Sequence, residues 1–191
     1  MNVLAVDLRR RPALWWWAPA AVGVVALLGR PWFLPAGAAV EWRVAFFVAL
    51  GILGLAWRAS APPGALAGWA PSLAVLGAGA AAFALGRVVV DVPVRPWGLG
   101  VAVALNALAA VAEEAFFRRY LYGLLVERHG AAVAVVATAG AFALVHVTVW
   151  GWWVLPLDLA AGLVLSWQRA ATGRWSVPAA THVVANTLAL L

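Results

Sequence analysis

The chain has 191 residues, of which 66% are hydrophobic and 10% charged, whereas a soluble domain is about 45–50% apolar and about 25% charged. This composition excludes an ordinary soluble globular protein and predicts an integral membrane protein. All 13 basic residues are arginines that lie mostly at the ends of apolar segments, so the net charge of +6 indicates topological anchors and no nucleic-acid partner. The chain has no cysteine, which excludes disulfides and thiol catalysis.

Seven apolar segments follow one another along the chain, separated by glycine and proline residues that mark helix ends. About 20 apolar residues cross a bilayer as a helix, and a helix satisfies its own backbone hydrogen bonds. We therefore predict an all-α polytopic transmembrane bundle of about seven membrane helices. Their approximate limits are Leu14 to Leu28, Val44 to Trp57, Ala65 to Leu85, Trp97 to Leu125, Ala131 to Trp153, Leu155 to Arg169 and Val177 to Leu191.

The bundle is predicted to be a single membrane domain over residues 1–191, surrounded by membrane lipids. Residues 1–96 form N-terminal helices without motifs, and residues 97–191 form the helix core that carries the polar groups. If the cluster Arg9 to Arg11 lies on one side of the membrane and each segment crosses the bilayer once, the loops on that same side hold most of the arginines. Arginine-rich loops are usually cytoplasmic, which favours a cytoplasmic N-terminus. The arginine-rich and alanine-rich composition indicates a bacterial plasma membrane.

Two adjacent acids in the fourth segment, Glu113 and Glu114, precede Arg118 by five and four residues. A charge at membrane depth costs about 2.5–3.5 kcal/mol on insertion scales, so such acids persist where they are paired or take part in chemistry. Spacing of four puts Glu114 and Arg118 on one helix face and predicts an ion pair. Because Glu113 is rotated by about 100° from Glu114, we expect its carboxylate to be free to act as a general base.

Polar residues of the fifth and seventh segments complete a possible hydrolytic set. His146 lies in the fifth segment, and His182 and Asn186 share one face of the seventh. A histidine beside a carboxylate helps to deprotonate a water, while a neutral histidine and an asparagine amide are donors suited to an oxyanion. Three other polar residues are expected to form interhelical hydrogen bonds or caps: Thr138, Asp158 and Ser166.

The order and spacing of these residues resemble a known set of motifs. The three motifs are Glu113-Glu114-x-x-x-Arg118, Phe142-x-x-x-His146 and His182-x-x-x-Asn186. They are similar to the motifs of the CPBP family, which contains CAAX prenyl proteases and bacteriocin-processing enzymes and is also called Abi. The resemblance covers roughly Asn106 to Leu191.

The resemblance implies an intramembrane endopeptidase that hydrolyses a peptide bond of a membrane-associated peptide or protein. It implies that Glu113 and His146 activate a water, and that His182 and Asn186 stabilise the tetrahedral oxyanion. The remaining motif residues are implied to support the architecture: Glu114, Arg118 and Phe142.

Members of the family have also been named metalloproteases, so zinc is the alternative to a cofactor-free mechanism. Glu113, His146 and His182 would supply three zinc ligands, but no His-Glu-x-x-His helix is present. Asn186 is a poor zinc ligand and a good oxyanion donor, which favours the mechanism without metal.

Two functions of other classes would use the same residues. A non-catalytic membrane protein, such as a bacteriocin-immunity protein, would bind a peptide or partner helix in a polar pocket. Such a pocket needs the shape of Glu113 but not its acid function. A proton relay or small transporter is less favoured, because no repeated pair of discontinuous helices is visible.

Overall fold

The structure is a computed structural model that describes residues 14–56, 68–89 and 99–190. Helix is the only regular secondary structure in these ranges, which confirms the all-α fold. The described helices are α1 Trp17–Leu28, α2 Arg30–Phe33, α3 Val40–Leu55, α4 Trp69–Val89, α5 Leu99–Glu114, α6 Tyr122–His129, α7 Ala131–Trp150, α8 Leu155–Thr172 and α9 Ser176–Leu188. A π-helical segment, Ala115–Leu121, joins α5 to α6.

The seven predicted segments all contain helix, with differences at their ends. The fifth segment was predicted to reach Trp153, but α7 ends at Trp150 because Gly151 has a φ of +91°, which an α-helix does not allow. The helix of the second predicted segment, α3, begins at Val40, four residues earlier than predicted. Several predicted features lie outside the described residues: the cluster Arg9 to Arg11, and the segment limits Trp57, Ala65, Trp97 and Leu191.

Three of the described helices are long and apolar enough to cross a membrane, by length and composition. They are Trp69–Val88, Leu99–His129 and Ala131–Trp150. In contrast, α1 has 12 residues and α9 has 13, so at 1.5 Å per residue each spans about 20 Å of a hydrocarbon core about 30 Å thick. The helices support an integral membrane protein, and the count of seven spans stays a prediction.

One continuous helix, Leu99–His129, is the centre of the bundle. It is formed by α5, the π-helical segment and α6, and it packs against α3, α7 and α9. Its large buried side chains include Phe116, Phe117 and Tyr120, and the Tyr120 hydroxyl donates a 2.8 Å hydrogen bond to the Trp16 carbonyl before α1. The central helix therefore organises both halves of the chain.

Small residues allow the helices to approach closely, as is usual in membrane bundles. A Cβ atom on Gly54 of α3 would overlap the backbone of Ala115 in the π-helical segment, and one on Gly162 of α8 would lie 3.0 Å from the Ala139 Cα of α7. Helices α7 and α8 are also joined by a hydrogen bond of 3.0 Å between the hydroxyls of Thr138 and Ser166. This bond confirms the interhelical role predicted for those two residues.

The contact at Gly54 can be tested against a glycine of the same helical type. Gly54→Ala is expected to destabilise the protein by about 1–3 kcal/mol, because the added methyl meets backbone that cannot move aside. Gly77→Ala is the control, because Gly77 is exposed in α4 and has no atom within 4 Å of a new Cβ. Helix propensity alone should then raise the free energy of unfolding by up to about 1 kcal/mol. Thermal unfolding in detergent measures both, and equal midpoints for the two variants would contradict the close contact.

Candidate active site

The structure brings the two adjacent acids and the two motif histidines together where α7 and α9 pack on the central helix. Glu113 and Glu114 come from the last turn of α5, His146 from α7, and His182 and Asn186 from α9. Glu114 is fully buried and Glu113 is 3% exposed. The site is therefore a polar cluster inside an apolar bundle.

Glu114 is the centre of a buried ion-pair network. Its Oε1 accepts hydrogen bonds of 2.8 Å from Arg118 Nη1 and 3.0 Å from His182 Nδ1. The predicted ion pair between Glu114 and Arg118 is thus confirmed. Arg118 also donates a 3.2 Å hydrogen bond to the Gly162 carbonyl of α8, and its guanidinium carbon lies 4.6 Å from the centre of the Phe142 ring. This network joins α5, α7, α8 and α9.

The π-helical segment begins directly after Glu114. Its wider turns appear in the hydrogen bond from the Tyr122 backbone N–H to the Phe117 carbonyl, five residues earlier. Arg169 of α8 donates a 2.9 Å hydrogen bond from Nε to the Arg118 carbonyl inside this segment. Such segments are frequent at functional sites, and here α8 holds the backbone that carries the arginine of the network.

Glu113 is not free, and the expectation of an unpaired carboxylate was wrong. Its Oε1 accepts a hydrogen bond of 2.9 Å from Arg30 Nη1, which comes from the start of α2. The prediction failed because Arg30 lies 83 residues away in the sequence, where an arginine after an apolar segment indicates a topological anchor. The N-terminal part of the chain therefore contributes a side chain to the site, through Arg30.

The other oxygen of Glu113 faces His146. The distance from Glu113 Oε2 to His146 Nε2 is 3.8 Å, and His146 Nδ1 lies 2.8 Å from the Phe142 carbonyl oxygen of its own helix. A carbonyl oxygen can only accept, so Nδ1 carries the proton and the neutral ring has its lone pair at Nε2. The helix therefore directs the basic nitrogen of His146 towards Glu113.

His182 is held in the same tautomer. Its Nδ1 lies 3.0 Å from Glu114 Oε1, a carboxylate oxygen already paired with Arg118, so Nδ1 is the donor. A neutral His182 then has a lone pair at Nε2, and only the imidazolium form donates a proton from that atom. This tautomer departs from the neutral donor that the sequence analysis expected.

Asn186 lies one turn after His182 on α9 and contacts α5 at Asn106, about two turns before Glu113. Its Nδ2 is 3.4 Å from the Asn106 carbonyl oxygen of α5. The Asn106 amide itself donates a 2.8 Å hydrogen bond to the Ala102 carbonyl. The long hydrogen bond from Asn186 to Asn106 therefore links α9 to α5 only weakly.

Asp158 is a third acid near the site, in addition to Glu113 and Glu114. It lies in the first turn of α8, and its Oδ2 is 4.0 Å from His146 Nδ1. This distance is beyond a hydrogen bond, and Asp158 adds negative charge on the far side of the imidazole from Glu113. The sequence feature that could have indicated this position is that Asp158 is the only acid in the sixth apolar segment.

The candidate metal ligands do not converge on one point. Within the described part of the chain, no group of three His, Cys, Asp or Glu side chains is placed to hold a metal ion. Glu113 is also paired with the cation Arg30. A guanidinium on a prospective ligand opposes a second cation by charge repulsion, which disfavours zinc at Glu113.

The fold and the site together define a membrane-embedded helix bundle with a largely buried cluster of two carboxylates and two histidines. Residues 95–188 match the family described as Rce1-like type II CAAX prenyl endopeptidases. This part of the chain, which contains every motif residue, belongs to the CAAX protease family, and the resemblance read from the motifs is confirmed. No curated protein and no solved structure matches the chain.

The buried network predicts a large stability effect at Glu114. Glu114→Gln leaves the Arg118 guanidinium buried without a counter-charge, and breaking one side of a buried ion pair costs about 3–5 kcal/mol. Glu41→Gln is the control, because Glu41 is exposed in the first turn of α3 and such changes stay within about 0.5 kcal/mol. Thermal unfolding in detergent compares them, and a Glu114→Gln midpoint equal to that of the control would exclude a stabilising ion pair.

Proposed function

We propose that the protein is an intramembrane endopeptidase that hydrolyses a peptide bond of a membrane-associated protein or peptide. The family match supports endopeptidase activity. The observation that carries the mechanism is the pair formed by Glu113 Oε2 and His146 Nε2, two proton acceptors 3.8 Å apart. We assign the activation of the attacking water to this pair.

The spacing of the two acceptors suits one shared water molecule. Two acceptors of the same water lie roughly 4 Å apart when each hydrogen bond is about 2.8 Å long. Glu113 and His146 are on different helices, α5 and α7, so the bundle sets their separation. A water held by both presents its lone pair away from them, towards a carbonyl carbon.

The proposed reaction conserves charge within the site. The water oxygen forms a bond to the carbonyl carbon, the π electron pair moves to the carbonyl oxygen, and a water proton passes to Glu113. When the tetrahedral intermediate collapses, that electron pair re-forms the carbonyl, the C–N bond breaks, and the leaving nitrogen takes the proton. Glu113 returns to its carboxylate form, as a general base that later acts as an acid.

The remaining motif residues have supporting roles in this proposal. Asn186 supplies an amide N–H to the oxyanion, and His182 does so in its imidazolium form. Glu114 and Arg118 keep the site assembled, with Phe142 packed against the guanidinium at 4.6 Å and its carbonyl fixing the His146 tautomer.

An apolar groove beside the site supports a substrate that lies in or on the membrane. The groove has a volume of about 190 Å³, lies between α3 and α5, and reaches Ala112, the residue before Glu113. Its walls include Phe47, Ile52 and Leu108. An apolar chain segment or a lipid modification, as in the CAAX prenyl substrates for which the family is described, fits such a lining.

We also propose about seven membrane helices, a cytoplasmic N-terminus and a bacterial plasma membrane.

The acid function of Glu113 is the first test of this proposal. Membranes from cells with wild-type protein are expected to contain new protein N-termini that are absent with Glu113→Gln, because an amide cannot accept the water proton. His146→Ala should lose the same termini, while Glu41→Gln should retain them. The measurement is quantitative N-terminal sequencing by mass spectrometry at matched abundance. Identical termini with wild type and folded Glu113→Gln would favour the non-catalytic binding function.

Metal dependence is the second test. Because the candidate ligands do not converge, treatment of the purified protein with a zinc chelator is expected to leave the Glu113-dependent cleavage in reconstituted membranes unchanged. Elemental analysis should find zinc far below one ion per chain. Cleavage that is lost on chelation and restored by zinc would contradict the metal-free mechanism.

A further inference from the structure

Arg30 is a site residue that lies outside the region matched to the family, residues 95–188. It begins α2, the four-residue helix between α1 and α3, and its Nη1 is 2.9 Å from Glu113 Oε1. A bond of this length between a guanidinium and a carboxylate is charge-assisted. Its partner Glu113 has a side chain only 4% exposed. The pair therefore joins the N-terminal helices directly to the proposed general base.

The charges of the site are balanced by two arginines. Arg118 neutralises Glu114 at 2.8 Å, and Arg30 neutralises Glu113 at 2.9 Å. The two histidines also face these acids, His146 at 3.8 Å from Glu113 and His182 at 3.0 Å from Glu114. In an apolar bundle a carboxylate without a counter-charge would take up a proton and cease to be a base. Arg30 therefore has an electrostatic task distinct from that of Arg118.

The two arginines differ in exposure. The Arg118 side chain is fully buried, whereas the Arg30 side chain remains 15% exposed at the edge of the site. Arg118 is bound further by the Gly162 carbonyl of α8, which suits a fixed structural cation. Arg30 has five N–H donors, of which Nη1 supplies one to Glu113, and its side chain is not completely enclosed by the bundle.

We propose that Arg30 is a catalytic residue, which keeps Glu113 ionised and oriented towards His146 and then stabilises the negative charge as it moves to the substrate oxyanion. This inference rests on the proposed peptidase function. When a water proton passes to Glu113, the negative charge leaves the carboxylate and appears on the carbonyl oxygen of the substrate. A guanidinium beside Glu113 attracts the negative charge both on the carboxylate and on the adjacent oxyanion as that charge develops.

The geometry also gives Arg30 an orienting effect. It occupies Oε1 of Glu113 and leaves Oε2 facing His146 Nε2. A carboxylate held at one oxygen cannot rotate its other oxygen freely away from the water position. Loss of such orientation typically lowers the rate of a chemical step by about 100-fold.

Variants of Arg30 separate charge from hydrogen bonding. Arg30→Gln keeps an N–H donor but removes the charge, and Arg30→Lys keeps the charge. The rate at which Glu113-dependent N-termini appear in membranes is expected to fall about 100-fold with Arg30→Gln and to recover to within about tenfold of wild type with Arg30→Lys. Arg43→Gln is the matched control: Arg43 ties the segment after α2 through the Pro35 and Ala36 carbonyls, and its loss should leave the rate near wild type.

Thermal unfolding of the same variants distinguishes catalysis from a structural tie. We expect Arg30→Gln to lower the midpoint less than Glu114→Gln does, because an unpaired Glu113 carboxylate can take up a proton whereas an unpaired Arg118 guanidinium cannot release one. Equal loss of cleavage in Arg30→Gln and Arg30→Lys, together with a large fall of both midpoints, would make Arg30 a structural tie only. Wild-type cleavage by Arg30→Gln, with Glu113→Gln inactive, would overturn the inference and leave the peptidase function standing. Wild-type cleavage by Glu113→Gln would overturn both.

Discussion

The need to neutralise two adjacent acids inside an apolar helix bundle governs the arrangement of this protein. A carboxylate away from water requires a counter-charge or a proton, and Glu113 and Glu114 point to different faces of one helix. Each acid therefore has its own arginine, Arg118 from the next turn and Arg30 from the start of α2. The local pair holds α7, α8 and α9 around the central helix, while the distant pair brings the N-terminal helices to the site.

The sequence predicts what is decided by local spacing. Helical segments follow from apolar runs and glycine or proline breaks, and the pair Glu114–Arg118 follows from a spacing of four on one helix. That His146, His182 and Glu113 lie in one polar cluster was predictable because the motifs resemble those of a known family. These predictions share one property, which is that a single helix or a recognised motif contains the whole signal.

The sequence does not predict contacts that depend on how helices cross. Arg30 and Glu113 are separated by 83 positions, and arginine at a segment end has a common alternative explanation as a topological anchor. Asp158 approaches His146 only because α7 and α8 pack closely through Gly162 and Ala139. Histidine tautomers are likewise set by their surroundings, so the protonated nitrogen of His182 was not readable before the Glu114 contact was known.

The histidine tautomers connect the architecture to the proposed chemistry. His146 donates from Nδ1 to the carbonyl of Phe142 in its own helix, and His182 donates from Nδ1 to Glu114, which Arg118 holds. Both acceptors belong to the packed framework, so the Nε2 atoms have directions that the bundle fixes before a substrate arrives. In a site with little water, fixed dipoles and charges replace solvent reorganisation during proton transfer. The ion pairs that make two buried acids tolerable thereby also set the orientation that hydrolysis requires, and stability and proposed catalysis depend on the same contacts.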